Sequence, residues 1–274
     1  MESPSKEDII TTSPRVLFGR AVREARLAAG LSQKKLAPKI PLVVSALSMI
    51  ENGVRWPSPE VAKRLDKLLG TSLMKLRERL EQEHARIPAW FRPWVEIEQE
   101  ADTLRGWHPL MVPGLLQTAD YARAILQSRP GATTSSVEKA LEARMKRQAI
   151  LKRERPPLLW VVLDEGILLK PVGSHDMMVA QMSHLLEAGR RPHVTIQVLP
   201  YAAQSMAGLM GGFVLAQQPG GPDTVYLQTA VRGQVLEAPA DVKIASMWYE
   251  AIRADSLSQR ESLVLIEKRM QSWT

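Results

Sequence analysis

The 274-residue chain has no cysteine, which excludes disulfides, thiolate zinc sites and cysteine nucleophiles. It also has no long apolar run. The longest stretch without Asp, Glu, Lys or Arg covers residues 192–222. Pro200, Gln204, Ser205 and several glycines interrupt it, so it does not read as a membrane helix. The opening MESPSKEDIITTSPR carries no apolar signal region, and a cytoplasmic location is expected. Histidine is scarce: His84, His108, His175, His184 and His193 show no metal-ligand spacing such as HExxH. GxSxG, P-loop and GxGxxG patterns are missing as well. No metal, no cofactor and no catalytic set is expected, and the chain reads as a non-enzyme.

Basic charge is present, and it is unevenly placed. Residues 1–13 hold one Lys and three acids, residues 14–80 hold 14 Lys/Arg against 5 acids, and residues 81–274 hold 21 of each. The whole excess of +7 thus comes from one quarter of the chain. A basic segment joined to a neutral one is the footprint of polyanion binding; a solvated basic helical surface is the alternative.

Residues 1–14 are polar and read as a disordered arm. Beyond them Leu17, Val22, Ala25 and Leu27 predict a helix ending at Gly30. Ser32 caps a short helix over 33–40, stopped by Pro41. A second short helix over 43–51 stops at Asn52-Gly53. Ser58 caps a helix over 59–69, and another runs from Ser72 to about Glu83. Residues 81–106 read as a helical linker, with Trp90, Phe91 and Trp94 as packing anchors at the domain junction. The texture then changes. Helices are predicted over 118–128, 136–153, 177–188, 240–254 and 258–272, and strands over 158–163, 194–199, 212–216 and 224–228. The fold class expected is an N-terminal all-α, five-helix domain (15–80) followed by a mixed α/β (α+β) domain with a small sheet (107–274).

Residues 17–70 resemble the Cro/repressor-type, or XRE-like, helix-turn-helix family. The resemblance is carried by Arg26, Gly30, Leu31-Ser32-Gln33, Leu36-Ala37, Ile40, Leu47, Ile50, Glu51, Asn52-Gly53 and Pro57-Ser58. It implies that the helix over 43–51 reads the major groove, held by the helix before it. By position, Val44, Ser45, Ser48 and Met49 fall on base-contacting sites. Gln33 and Asn52 fall on backbone-contacting sites, and Arg26 with Glu51 on an internal salt bridge. Arg23, Lys34, Lys39 and Arg55 are further phosphate candidates. Val44, Ser45 and Met49 depart from the Gln, Arg or Asn that make bidentate base contacts, and Pro41 stands where a glycine is usual. Phosphate contact, DNA shape or the second domain would then carry more of the specificity.

From Trp107 onward the chain resembles the sensor-like domain of actinobacterial WhiJ-type, antitoxin-like regulators. The matching pieces are Val112-Pro113-Gly114-Leu115-Leu116-Gln117-Thr118, Tyr121-Ala122-Arg123-Ala124, Arg144 with Arg147-Gln148, Leu163-Asp164-Glu165, Gln181, and Gln197-Val198-Leu199-Pro200. Gly208, Gly212 and Phe213 follow. Met206 and Gln228 depart from the pattern. The resemblance implies a DNA-binding regulator, often accompanied by a small partner protein encoded nearby. Partner or ligand candidates are Pro113, Gly114, Gln117, Tyr121, Arg123, Arg144, Arg147, Asp164, Glu165, Met206 and Phe213. Arg144 and Arg147 share a helix face. Either they pair with Asp164 or Glu165 in a structural network, or they hold a ligand. The expected partners are double-stranded DNA, a second copy of the chain in a homodimer, and a small protein or ligand. Two rivals stay open: an antitoxin-like protein that sequesters a partner and binds DNA for autoregulation, and a small-molecule-sensing repressor.

Overall fold

The computed structural model describes residues 14–85, 87–88 and 90–273. The expected arm over 1–14 lies, Pro14 apart, outside the described residues. The chain divides into two compact units, residues 1–88 and 89–274.

The first unit is helical: α1 (Pro14–Ala28), α2 (Gln33–Leu36), α3 (Val44–Glu51), α4 (Pro59–Leu69) and α5 (Leu73–Ala85). Its core gathers Leu17, Phe18, Val22, Leu36, Leu47, Ile50, Leu65, Leu73 and Leu80. Leu27, expected inward, is exposed. It lies two residues past Ala25, about 200° around the helix from the face that Phe18 and Ala21 complete. The helix expected over 33–40 ends at Leu36, and Ala37–Lys39 continues as a 3-10 turn. Pro38 is the cause, since it has no N–H to donate back along an α-helix. Asp66 accepts from Met74 N at 2.9 Å and from Leu73 N, so a side chain of α4 caps α5.

The second unit holds a six-stranded sheet in the order β3-β2-β1-β4-β5-β6. The strands are β1 (Thr103–His108), β2 (Leu158–Asp164), β3 (Val194–Leu199), β4 (Phe213–Gln217), β5 (Thr224–Gln228) and β6 (Gly233–Leu236). β1, β2 and β3 run parallel; β4 to β6 complete the sheet antiparallel. The helices are α6 (Arg92–Glu100), α7 (Ala119–Gln127), α8 (Thr134–Arg147), α9 (Gly166–Leu169), α10 (His175–Ala188), α11 (Pro239–Ala254) and α12 (Gln259–Gln271). Parallel neighbours need long crossovers, which α7–α8 and α9–α10 supply. One sheet face carries Leu104, Leu159, Val161, Leu163, Ile196 and Val198 against α10 and α12. The other carries Trp107, Val162, Leu215 and Val225 against Tyr249 and Ile252 of α11.

The linker expected over 81–106 is corrected here. Its second half forms α6 and most of β1, and β1 is a central strand. Phe91 and Trp94 pack in this unit's core, where Trp94 stacks on Tyr226 at 4.8 Å. The helix expected over 136–153 starts at Thr134, capped by Thr133, and gives way after Arg147 to a 3-10 turn over Gln148–Lys152.

Candidate nucleic-acid interface

α3 is short, and its seating is tight. Ala46, Leu47, Ile50 and Glu51 are buried, at the i, i+1, i+4, i+5 positions of one face. Gly19 of α1 sits directly beneath its last turn: a Cβ there would lie 2.4 Å from the carbonyl oxygen of Ile50. Gly53, in the left-handed region at φ 73°, turns the chain out of the helix, as the Asn-Gly pair predicts.

An ion pair holds the same turn from the other side. Arg26 donates from Nε to Glu51 Oε1 at 2.6 Å and from Nη2 to Oε2 at 2.8 Å, with the two side chains 9% and 1% exposed. Its Nη1 donates to the Leu31 carbonyl at 2.8 Å. The carboxylate, accepting from it, raises the guanidinium pKa further. Gln33 Nε2 donates to Glu51 Oε2 at 2.8 Å. The residue expected on phosphate is therefore tied at one N–H to the structural pair, half-buried at the start of α2. Ser32 caps α2 by accepting from Lys35 N at 3.2 Å.

The opposite face of α3 is open. Val44, Ser45 and Met49 are exposed and Ser48 is half-buried. Val43, the N-cap, offers no side-chain acceptor, so no N-cap side chain satisfies the first N–H groups of α3. Asn52 is exposed, its Nδ2 within 3.4 Å of Ser48 Oγ. Arg23, Lys34, Lys39 and Arg55 are also exposed. Behind this face Trp56 packs on Phe18 and donates to Glu81, which also pairs with Arg77.

In the second unit the segment over 112–118 is held by buried polar groups. Gln117 donates to the Val112 carbonyl at 2.7 Å and accepts from Arg144 Nη1 at 2.5 Å. Gln148 donates to the carbonyls of Gly114 and Gln117. Gln181 accepts from Thr118 N and donates to the Leu116 carbonyl, and the Tyr121 hydroxyl faces Val112 N. Arg147 Nε lies 2.7 Å from Glu98 Oε2, an ion pair by distance although the N–H is not aligned on that oxygen. Burial raises the Glu98 carboxyl, and Arg147 opposes the rise.

Residues 91–268 match the family model described as Domain of unknown function (DUF5753), which covers more than half of the chain. The chain belongs to the DUF5753 family. Residues 22–76 match the model described as Helix-turn-helix, so the first unit is a helix-turn-helix domain of the XRE type and points to a DNA-binding regulator. No curated protein and no solved structure matches the chain.

Within the DUF5753 unit the expected pairing of Arg144 and Arg147 with Asp164 or Glu165 is corrected. Arg147 pairs with Glu98 and Arg144 with the amide of Gln117. Asp164 Oδ1 accepts from Gly166 N at 2.7 Å, and Glu165 accepts from Tyr201 N and from Arg269 Nη2 at 2.6 Å. Asp164 thus closes the end of β2 locally, while Glu165 ties it to Tyr201 and to Arg269 of α12. Pro113 precedes the 3-10 turn Gly114–Leu116. Arg123 bridges Asp120 and Glu138 at the surface. Met206 is exposed, while Phe213, half-buried, packs against the α11 core. Sequence reasoning missed Gly19 and Glu98. Gly19 could have been found as the one glycine inside a helix pattern; Glu98 carries no local signal.

Proposed function

We propose that the protein is a sequence-specific transcription regulator that inserts α3 into the major groove of duplex DNA. The observation that carries this reading is the division of α3. One face is locked by Gly19 and the Arg26–Glu51 pair, and the other presents Val44, Ser45, Ser48 and Met49. The two hydroxyls supply single, adaptable hydrogen bonds and Val44 an apolar contact of the kind a thymine methyl accepts. Gln33, through its second N–H, and Asn52, Arg23, Lys34, Lys39 and Arg55 are assigned to phosphates, which position the reader without specifying sequence.

One such reader covers little DNA, and a homodimer spanning half-sites about 34 Å apart is the expected working form. The DUF5753 unit then serves as the sensor of WhiJ-type regulators does. A small protein partner or ligand that prefers one arrangement shifts operator affinity. We assign the chain no catalytic step and place it in the cytoplasm, on the nucleoid. The test is anisotropy of labelled duplex with the full chain across a salt series, alongside sedimentation. Affinity falling steeply with salt, a slope reduced by about one in Lys34→Ala, and a dimer on DNA support the reading. Salt-independent binding, or a monomer with and without DNA, removes it.

A further inference from the structure

α11 turns one face to the sheet and leaves the other uncovered. Val242, Ala245, Tyr249 and Ile252 pack against the strands. On the far side lie Ala240, Ile244, Met247, Ala251 and Ala254, spaced by four, three, four and three residues, all of them exposed. That spacing is the heptad seam along which helices pair. Ile244 and Met247 are 55% and 64% exposed, and Trp248 flanks the seam at 44%. Charged side chains keep to its borders, Asp241 on the border that holds Trp248, and Lys243 and Glu250 on the other. Small residues at both ends let a second backbone approach, and the seam is about 21 Å long at 1.5 Å per residue. An outward apolar stripe rimmed by polar residues marks a contact surface.

The border charges indicate what covers it. A second copy of α11 can lie antiparallel with Ile244 against the partner's Met247 and Ala240 against the partner's Ala251. Lys243 then stands beside the partner's Glu250, twice by symmetry. Glu250 is 50% exposed, with its own Arg253 at 3.0 Å. Shifted so that Met247 meets the partner's Ala251, Glu250 would face the partner's Glu250 and Asp241 the partner's Asp255. A parallel pair would set Glu250 against the partner's Asp255. Like charges disfavour both alternatives, and such charges fix register more than affinity. We propose that α11 is the surface through which two copies of this chain pair, antiparallel, with Ile244 of each on Met247 of the other. This rests on the reading that the working form is a homodimer, and it names the surface that forms it. A strip one helix wide lies at the low end of specific interfaces, so the dimer is expected to be reversible, with Kd on the order of micromolar.

Sedimentation of the full chain over a concentration series tests this. The wild type is expected to dimerise. Ile244→Lys changes a side chain already exposed in the single chain, so it is expected to keep the circular dichroism spectrum and weaken the dimer about tenfold or more. Lys243→Glu alone is expected to weaken it too, and Lys243→Glu with Glu250→Lys to restore it, a recovery that a purely structural role does not give. Because the chain has no cysteine, introduced thiols report the register. Ala240→Cys with Ala251→Cys is expected to yield a disulfide-linked dimer on oxidation, since positions eleven residues apart on one helix are about 16 Å apart and cannot bridge within a chain. Neither single cysteine variant is expected to link. The proposal is overturned if the dimer survives Ile244→Lys and ignores the charge exchange; the copies then meet elsewhere and the homodimer reading stands. Efficient linkage through Ala251→Cys alone overturns it in favour of a parallel pair. A chain that is monomeric with and without DNA removes the homodimer reading and the proposal together. If that monomer instead loses a co-purifying protein on Ile244→Lys, the seam belongs to a different partner and the proposal falls.

Discussion

Replacing Arg26 with Ala removes three hydrogen bonds at once, two to Glu51 and one to the Leu31 carbonyl. Glu51, whose side chain is 1% exposed, is left with Gln33 as its one neutral donor. Removing one member of a buried pair strands the other's charge, at about 3–5 kcal/mol. Exchanging both for apolar side chains of similar volume strands none, so Arg26→Met with Glu51→Leu is expected to cost about 2 kcal/mol less than the single change. Native-state hydrogen exchange of the α3 amides is the assay, because it isolates this unit from the DUF5753 unit. The free energy of opening at Leu47 and Ile50 is predicted to fall by the full amount in Arg26→Ala and to recover partly in the double variant. Unchanged protection in Arg26→Ala, or additive effects of the two substitutions in a double-mutant cycle, would refute the reasoning.

Gly19→Ala places a methyl 2.4 Å from the Ile50 carbonyl oxygen, which neither backbone yields easily. A loss of about 1–3 kcal/mol is expected in the same exchange measurement, together with weaker DNA binding; a variant as stable as wild type contradicts the seating of α3. Burial pushes His108 down to about 4, while an unfolded histidine titrates near 6.5. Its contribution is complete above about pH 6.5 and is lost as pH falls toward 4, with an upper bound of about 3 kcal/mol. His108→Gln is therefore expected to flatten the acid limb of the DUF5753 unit's stability curve, and parallel limbs for the two proteins would count against a neutral buried imidazole.

The helices of the first unit were legible because their signals are local. Ser32 and Ser58 cap and Gly30, Gly53 and Gly70 stop, each within a few residues of the element it bounds. Pro38 was overlooked inside a pattern that otherwise reads as helix, and α2 is shorter for it. The central strand β1 was not legible. Thr103–His108 holds two large apolar residues, Leu104 and Trp107, and they serve opposite faces, so neither alternation nor an apolar run marks it. Its place comes from pairing with β2 and β4, more than 50 residues away. The polar groups around residues 112–118 follow the same rule. Gln117 meets Arg144 across 27 residues and Thr118 meets Gln181 across 63. Spacing on α8 showed that Arg144 and Arg147 share a face, but it could not show that Glu98, from a segment read as linker, would take one of them.

The central claim is that α3 reads base edges, and selection of bound duplexes from a random pool tests it most directly. The full chain and its Ser45→Ala, Ser48→Ala double variant are compared at one salt concentration. The account predicts that the wild type enriches a defined sequence, and that the variant enriches a different or degenerate one at the positions beneath α3, with nonspecific affinity nearly preserved. Recovery of the same sequence with the same enrichment by both proteins would contradict it.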